Sequence, residues 1–487
     1  MDGASMSASN SAENAAGTAI TDGAMPVRPA SRTWGRMALF GSTASAAIAT
    51  WCFIGGGFAA YYLPAASGAL AITAGTLLGV FFVVLAAVPA STRYGIEAVR
   101  STRPTLGARG SMITLVIVLA IMVGWNSILI IFLGNAAGEA LVAMGVLSSD
   151  VQGVASVAFS IVGLAIVLLL LRRGPNAVRD IAPVIATGII ILSVAIGVML
   201  VATVGIDDLF ALPPLGAYDS QALNFATVLE LGIAGGLAWW PYIGSLTRYS
   251  RSTGATITPV VLGLGVLMSF VLVIGLLAAL AVPESGGNPT LFLVEIGGPV
   301  FGIVALAFIV FANVGTTLVG VYVCALALKQ VPAVDRRLGW KTTTLLVAIP
   351  VAVVTVFFAD VFIDYYGNFL AFIGVLLGPV CGIQIADYYV IRRQNLSIRD
   401  LYSQSTGGRY WYVAGVNPVG IVALIAGIVA YIALLDPISY VANPGFEFMT
   451  ASIPAVLVAG VVYLALMRLI PSYWPRAAVA RSTEAAR

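Results

Sequence analysis

Long apolar stretches separated by short polar loops fill the sequence from residue 38 to residue 470. Each of twelve stretches is close to the roughly 20 residues that a helix needs to cross a bilayer. They lie at about 38–62, 68–90, 111–135, 153–171, 182–204, 227–247, 258–282, 299–328, 342–359, 366–391, 417–435 and 450–470. This pattern predicts an all-α polytopic membrane protein with 12 transmembrane helices, numbered 1 to 12 below.

Charged residues alternate between the two sides of this arrangement. If the N-terminus is cytoplasmic, all 24 Lys and Arg residues lie in cytoplasmic loops, in tails or at the adjoining helix ends. The loops on the other side contain acids as their only charged residues. Because basic residues favour cytoplasmic loops, this distribution predicts a multi-pass protein of the plasma membrane with both termini in the cytoplasm.

The composition supports the membrane assignment and excludes several kinds of chemistry. Hydrophobic residues make up 60% of the chain and charged residues 9%, against about 25% charged in soluble domains. There is no histidine, and the three cysteines show neither metal-binding spacing nor a disulfide framework. The spans lack the paired acids or nucleophile–base pairs of an integral enzyme, so we predict a protein that is not an enzyme.

Few acids lie near the spans, and those few are close to helix ends: Glu230, Glu295 and Asp387. Intramembrane ionisable groups usually mark ion or proton pathways. Their scarcity favours a neutral substrate, with any coupling ion held by carbonyl and hydroxyl oxygens.

Helix 6 begins as an ordinary span and is then interrupted between Gly232 and Ser250. Glycines, the adjacent pair Trp239 and Trp240, and Pro241 all disfavour a regular helix there. A broken helix is tolerated in a membrane only where it lines a cavity, and such spans indicate binding sites in transporters. The alternative is a kinked helix whose tryptophans face lipid or a neighbouring helix.

Helix 1 contains a second glycine-rich segment, Gly55 to Gly57, just after Cys52. Unwinding there would free the carbonyls around Cys52 to Gly55. The alternative is close helix packing through small residues. Helices 1 and 6 are five spans apart, as expected if helices 1–5 and 6–10 are inverted repeats that meet at a substrate.

Helices 3 and 8 carry the remaining polar candidates. Trp125 offers a flat apolar face, and the neighbouring Asn126 needs a hydrogen-bonding partner. In helix 8, Asn313 is followed by Thr316 and Thr317, whose hydroxyls could be ligands of a small hard cation. The alternatives are packing between helices for the asparagines and bonding of each threonine to its own helix.

The end of helix 10 reads GPVCGIQIADYYVIRR over residues 378–393. It resembles the signature of the nucleobase:cation symporter-1 family, which transports cytosine, purines, uracil, allantoin, hydantoins and related compounds. Further features agree in order over residues 38–435, namely Arg109-Gly110-Ser111, Gly124-Trp125, the Trp-x-Pro-Tyr of 239–242 and Asp400-Leu401-Tyr402.

The resemblance implies a fold like that of the sodium-coupled leucine transporter, with a 5+5 inverted repeat plus two C-terminal helices. It implies a flat heterocycle stacked between Trp125 and either Trp239 or Trp240. It also implies that Thr316 and Thr317 bind sodium. We predict in addition that Asn126, Asn313 and Gly55 contact the heterocycle, and that the carbonyls around Cys52 to Gly55 hold the ion together with the two threonines.

Three positions depart from the family pattern. Ser245 stands where many members have an aspartate, and the segment Leu318 to Tyr322 replaces an asparagine-rich run. The glutamine often found in helix 3 is absent at both Met122 and Leu129. The departures predict an atypical substrate within the class.

We therefore predict a secondary active cation symporter that imports a small planar nitrogen heterocycle, most simply a nucleobase, by alternating access. The alternatives are a permease of the same fold for allantoin or hydantoin, a thiamine precursor, an amino acid or an amine. No cofactor is expected beyond a coupling ion, Na⁺ or H⁺. The expected partners are the substrate and the bilayer, without nucleic acid, and the protein is expected to be monomeric.

This assignment divides the chain into four parts. They are a disordered cytoplasmic tail at 1–33, a transport core of helices 1–10 at 34–412, helices 11–12 at 413–472 and a cytoplasmic C-terminal tail at 473–487.

Overall fold

A computed structural model describes residues 25–173 and 175–470 of the chain. Every predicted apolar stretch coincides with a helix or a pair of helices. They are α1a (Arg36–Ala47), α1b (Thr50–Tyr62), α2 (Ala65–Tyr94), α3 (Ser111–Ala143), α4 (Gln152–Leu170), α5 (Pro175–Val204), α6a (Gln221–Leu237), α6b (Trp240–Leu246), α7 (Thr253–Ala281), α8 (Pro289–Leu328), α9 (Trp340–Phe357), α10 (Tyr366–Ile391), α11 (Pro418–Ile432) and α12 (Ser452–Leu469).

The lengths of these helices support a polytopic membrane protein. Within the described residues, ten helices are long and apolar enough to cross a bilayer, and α1a and α1b form an eleventh span bent by 57°. The predicted eleventh stretch is the exception, because α11 has only 15 residues and covers about 22 Å of a hydrocarbon core roughly 30 Å thick.

The contacts between core helices correspond between the two halves of the bundle. Helix α1b packs on α7 and α6a packs on α2, while α3 contacts both α8 and α4. Helix α5 contacts α1a, and α10 contacts α6a, α11 and α12. Exchanging each helix of α1–α5 with the helix five places later maps these core contacts onto one another, as expected for two five-helix repeats.

The break in helix 1 does not lie at its glycines, so that prediction was wrong. The chain leaves the helical conformation at Ile48 (ψ 96°) and Ala49 (φ −140°, ψ 177°). Gly56 lies inside regular α1b, where a side chain would meet the backbone of α7 at Leu272. The glycines therefore allow two helices to pack closely, the alternative reading of this segment.

The glycines of helix 6 have the same role. Helix α6a runs unbroken through Gly232 and Gly236, which lie against the backbone of α2 beside Gly75 and Gly79. The interruption is confined to one tightened turn that ends at Trp239. Its position is explained by the proline two residues later, which cannot donate a backbone hydrogen bond.

Two buried carboxylates join the core to α12. Glu230 of α6a accepts hydrogen bonds from the backbone N–H groups of Ala451 and Ser452 and from the Ser452 hydroxyl, at 3.1, 3.0 and 2.6 Å. It thereby caps the N-terminus of α12. The signature aspartate Asp387 pairs with Arg392 (Oδ2 to Nε, 2.6 Å) and accepts from the Tyr463 hydroxyl at 2.8 Å.

The packed part of the chain begins before the predicted boundary at residue 33. Val27 is buried, and its backbone N–H donates to the Gly95 carbonyl. The Arg32 side chain donates to the carbonyls of Val27, Thr92 and Arg93. The rest of the predicted N-terminal tail and the whole predicted C-terminal tail at 473–487 lie outside the described residues.

Candidate functional site

Four aromatic side chains meet where the breaks in helices 1 and 6 approach the middle of α3. The ring centroids of Trp51 and Trp125 are 4.8 Å apart, and those of Trp51 and Trp239 are 6.2 Å apart. Tyr242 packs against Trp239 at 4.8 Å. The structure thus brings Trp125 and Trp239 to one site, with the Trp51 ring close to both.

These rings enclose a small cavity. Its lining is mostly apolar and comprises Ala46, Trp51, Trp125, Leu129, Ala238, Trp239, Tyr242 and Thr316. The free volume is about 10 Å³, enough for about one water molecule, whereas small-molecule pockets usually measure about 300–1,000 Å³. A heterocycle can therefore enter only when side chains such as Trp51 move away from the space between their neighbours.

Trp240 is not part of this cluster, although it was one of two alternatives for the stacking residue. Its indole is fully buried, and Nε1 donates to Gln384 Oε1 of α10 at 2.6 Å. Gln384 in turn donates to the Ser101 hydroxyl at 2.9 Å. The two adjacent tryptophans therefore serve different neighbours, and only Trp239 lines the cavity.

A polar group lies beside the cavity, between the helix 1 break and α8. The Thr50 hydroxyl donates to Asn313 Oδ1 at 2.9 Å, and the Thr316 hydroxyl contacts the Ser45 carbonyl at the end of α1a at 3.2 Å. Asn313, Thr316 and Thr317 share one helical face because they are three and four residues apart. Thr316 also lines the cavity, so the polar group and the aromatic group share a side chain.

Two buried atoms of this polar group lack a protein partner. Among the described residues, Asn313 Nδ2 and Thr317 Oγ1 are inaccessible to solvent and make no hydrogen bond. A buried polar atom without a partner costs roughly 1–3 kcal/mol, so such a pair marks a place where a ligand or ion could supply the missing contact.

Two residues of helix 1 that were predicted to belong to the site lie outside it. Cys52 lies within α1b, and its thiol contacts the Ala47 carbonyl at 3.0 Å. Gly55 faces the Leu272 side chain of α7. Because the helix breaks at residues 48–49, the carbonyls without intrahelical partners belong to the last turn of α1a, near Ser45, instead of to residues 52–55.

Asn126 adjoins the aromatic residue Trp125 but faces a different neighbour. Its Nδ2 donates to the Met122 carbonyl of its own helix at 2.7 Å, and its amide packs against Gly320 of α8. It is fully buried between α3 and α8 and does not line the cavity. Packing between helices, the alternative reading, describes its position.

Aromatic side chains cover the cavity on both sides. Towards the basic end of the bundle, the Tyr249 and Tyr322 hydroxyls are 3.1 Å apart, and Trp34 stacks on Tyr249 at 5.2 Å. Towards the other end, Tyr366 packs against Trp125 at 6.2 Å and against Phe58 at 5.2 Å. The structure is therefore closed on both sides of the site.

A buried acid lies near the closure at the basic end. Glu97, in the loop between α2 and α3, accepts from the Arg100 backbone N–H at 3.2 Å. Burial raises the pKa of the Glu97 carboxyl, while nearby backbone N–H groups, Arg248 and Arg100 favour its charged form. The same loop packs against helix 6, where Gly244 of α6b lies against Ala98.

Sequence reasoning missed Trp51, Thr50 and Tyr242. Trp51 and Thr50 directly follow the observed helix 1 break. Because the predicted break lay at the glycines, these two residues were not predicted to belong to the site. Tyr242 was visible within the Trp-x-Pro-Tyr motif, three residues after Trp239, which places both on one helical face. The general signal is an aromatic or hydroxyl residue next to an interruption of a span.

The sequence matches known permeases over most of its length. A family model for permeases for cytosine/purines, uracil, thiamine and allantoin matches residues 26–453. A putative purine-cytosine permease of Bacillus subtilis, YxlA, is 23% identical over 82% of this chain and 84% of its own length. The allantoin permease of the same organism is 39% identical over 21% of this chain, and the alignment spans only 20% of that relative.

The fold agrees with solved transporter structures. The inward-facing conformation of Mhp1 superposes with a TM-score of 0.77 and 20% identity, covering 93% of this chain and 94% of Mhp1. A closed conformation of Mhp1, a nucleobase-cation-symport-1 family transporter with bromovinylhydantoin bound, gives a TM-score of 0.72 at 19% identity, covering 93% and 96%. At these identities the likeness establishes the fold.

Proposed function

Because the chain belongs to the family of permeases for cytosine/purines, uracil, thiamine and allantoin, we propose that it imports a small planar nitrogen heterocycle, most simply a nucleobase. The family and the fold are those of membrane transporters for nucleobase-like compounds, not of enzymes. The proposal concerns the substrate, the coupling ion and the direction of transport.

The observation that carries the proposal is the shared position of Thr316. This residue lines the aromatic cavity and contacts the end of α1a, so a rearrangement of either group would act on the other. A ring between Trp125 and Trp239 would stack on both side chains. Its binding would also affect Thr316 and, through this residue, the helix 1 break. That arrangement suits symport, in which substrate and ion stabilise the same conformation.

A heterocycle suits the cavity better than an amine does. Its lining contains four aromatic residues, the hydroxyls of Tyr242 and Thr316, and no charged side chain. An amine would need a nearby acid to offset the cost of removing its charge from water. Bromovinylhydantoin, the ligand of the similar closed Mhp1 structure, is itself a heterocycle.

The coupling ion proposed is sodium, with protons as the alternative. Thr316, Thr317 and the carbonyls at the end of α1a provide oxygen atoms, the donors that hard cations prefer. The orphaned Thr317 hydroxyl fits such a role. The described residues contain no group of three or more His, Cys, Asp or Glu side chains that could hold a metal ion instead.

Alternating access would follow from the two aromatic closures. Separation of Tyr249 from Tyr322 would open the cavity to the basic end, which we propose is cytoplasmic, and movement of Tyr366 would open the other side. We propose that the protein acts as a monomer in the plasma membrane, with both termini in the cytoplasm and without nucleic acid as a partner.

Uptake into liposomes tests this function directly. A panel of labelled nucleobases, allantoin, hydantoins and thiamine-like compounds would be offered with a sodium gradient, with a proton gradient and with neither. We expect accumulation of one heterocycle against its own gradient when a sodium gradient is imposed. Accumulation of an amine or amino acid alone would contradict the proposal.

The double substitution of Thr316 and Thr317 by alanine tests the ion. Loss of two hydroxyl ligands is expected to weaken apparent sodium affinity by about 100-fold or more, because each contact to a charge is worth about 1.5–3 kcal/mol and the two together about 3–6 kcal/mol. Sodium dependence of uptake is the measurement, and unchanged dependence would refute the ion assignment. Thr344→Ala is the matched control, since this buried threonine bonds only to carbonyls of its own helix, α9.

A further inference from the structure

An apolar groove runs along the outside of the bundle between α2, α10 and α12. Its volume is about 450 Å³, and nearly all of its surface is hydrocarbon. Phe82 and Leu85 line one side, Ile385 and Tyr389 the floor, and Val461 and Leu464 the other side. The groove is separate from the aromatic cavity, with which it shares no residue.

Three arginines follow the lining residues along the chain, towards the basic end of the bundle. Arg468 continues the lining stripe of α12, four residues after Leu464, and Arg93 continues that of α2, eight residues after Leu85. Arg393 follows four residues after Tyr389 of α10. All three are exposed.

Two of these arginines lack a side-chain partner among the residues that the structure describes. Within the described part of the chain, the guanidinium groups of Arg393 and Arg468 make no hydrogen bond or ion pair. Arg93 is held in place by the Gln394 carbonyl at 3.0 Å and by Asn395 Oδ1 at 3.3 Å. The two acids closest in sequence are both buried: Asp387 is paired with Arg392, and Glu97 lies in the loop after α2. The mouth of the groove is therefore positive, without a compensating carboxylate on its own helices.

The dimensions match one leaflet of a bilayer. The α12 side of the groove, from Val456 to Leu464, covers about 12 Å, and Arg468 lies about 6 Å further along the axis. The sum, about 18 Å, is close to half of a hydrocarbon core roughly 30 Å thick. A chain that fills the groove would place its head group at the level of the arginines.

We propose that this groove is a binding site for an anionic phospholipid, with one acyl chain between α2, α10 and α12 and the phosphate at Arg393 and Arg468. Arginine suits phosphate because its planar guanidinium donates two parallel hydrogen bonds. The backbone of Arg393 supports this role. Arg393 and Gln394 have φ angles of 48° and 65°, a left-handed conformation that is strained in residues other than glycine and recurs at ligand-binding segments.

The lipid would contact the irregular end of α10. Tyr389 lies in the π-helical segment Ala386–Ile391, which also contains Asp387 of the buried ion pair. A lipid packed on this segment would stabilise α10 against α12. The proposal is independent of the transported substrate.

Native mass spectrometry of the purified full-length protein tests the site. The protein would be extracted from vesicles that contain both phosphatidylglycerol and phosphatidylcholine, and the amounts of the two lipids that stay bound to it would be compared. We expect a preference for one phosphatidylglycerol that falls about fivefold for Arg393→Gln or Arg468→Gln and about 25-fold for both. Arg336→Gln, an exposed arginine of the α8–α9 loop, is the matched control and should retain the preference.

A substitution that fills the groove distinguishes lipid binding in the groove from a general attraction of anionic lipids to basic residues. Val461→Trp should reduce retention about tenfold, the effect of excluding roughly two methylene groups. Val429→Trp on α11 is the control, because Val461 and Val429 are 64% and 59% exposed. Equal retention of both lipids by the wild type, or a retention of phosphatidylglycerol that Val461→Trp leaves unchanged, would overturn the proposal. If the wild type is a dimer that Val461→Trp dissociates, the groove is a protein interface, and the proposal would also be overturned.

Discussion

Replacement of Trp239 by alanine is expected to weaken heterocycle binding about 5- to 150-fold, because stacking of a base on an aromatic ring is worth about 1–3 kcal/mol. Trp239 lines the cavity, within 6.2 Å of Trp51 and 4.8 Å of Tyr242. The measurement is the dissociation constant of the compound that liposome uptake identifies. Trp239→Phe should recover part of the affinity, since the smaller ring still stacks.

The adjacent tryptophan provides the matched control. Trp240→Phe keeps a ring but removes the donor to Gln384, so it should lower the free energy of unfolding by about 1–3 kcal/mol and leave the dissociation constant unchanged. The two variants change the same side-chain type one residue apart. Tight binding by Trp239→Ala, or a loss of affinity confined to Trp240→Phe, would place the substrate elsewhere.

Replacement of Asp387 by alanine is expected to lower the free energy of unfolding by about 3–5 kcal/mol. The substitution leaves the Arg392 guanidinium buried without its carboxylate, which is the costly way to break an internal ion pair. It also removes the acceptor of the Tyr463 hydroxyl and with it a contact between α10 and α12. Thermal unfolding in detergent would measure the loss.

A double substitution distinguishes the charge effect from simple loss of packing. Asp387→Ala with Arg392→Leu removes both charges, and buried pairs replaced by apolar residues are often near neutral in stability. We therefore expect the double variant to be more stable than Asp387→Ala alone. Tyr412 still donates to the Pro104 carbonyl in that variant, so this acceptor of Arg392 keeps a partner. A single variant that loses less than about 1 kcal/mol would contradict the argument.

The signature of α10 thus has a structural explanation. Asp387 and Arg392 belong to the motif that carries the family resemblance, yet they lie in a buried network with Tyr463 and Tyr412. Neither residue lines the aromatic cavity. A family motif in this chain marks helix packing, and the candidate substrate site lies on other helices.

The alternating pattern of apolar stretches and basic loops determined the membrane class and the approximate position of each helix. These properties are local, because a bilayer requires about 20 apolar residues for each span wherever that span finally packs. The candidate residues Trp125, Trp239 and Thr316 were also recognisable, since aromatic and hydroxyl residues at the middle of interrupted spans are unusual.

Only the tertiary structure decided which of two readings each glycine and polar residue follows. Gly55 and Gly232 could loosen a helix or admit a neighbour, and the outcome depends on whether another backbone lies against them. Adjacent residues of a helix point in directions about 100° apart, so Trp239 and Trp240 reach different partners. The sequence specifies that angle but not which helices stand on either side. Those neighbours are contributed by α1, α3 and α10, far away along the chain, and their packing selects Trp239 for the cavity.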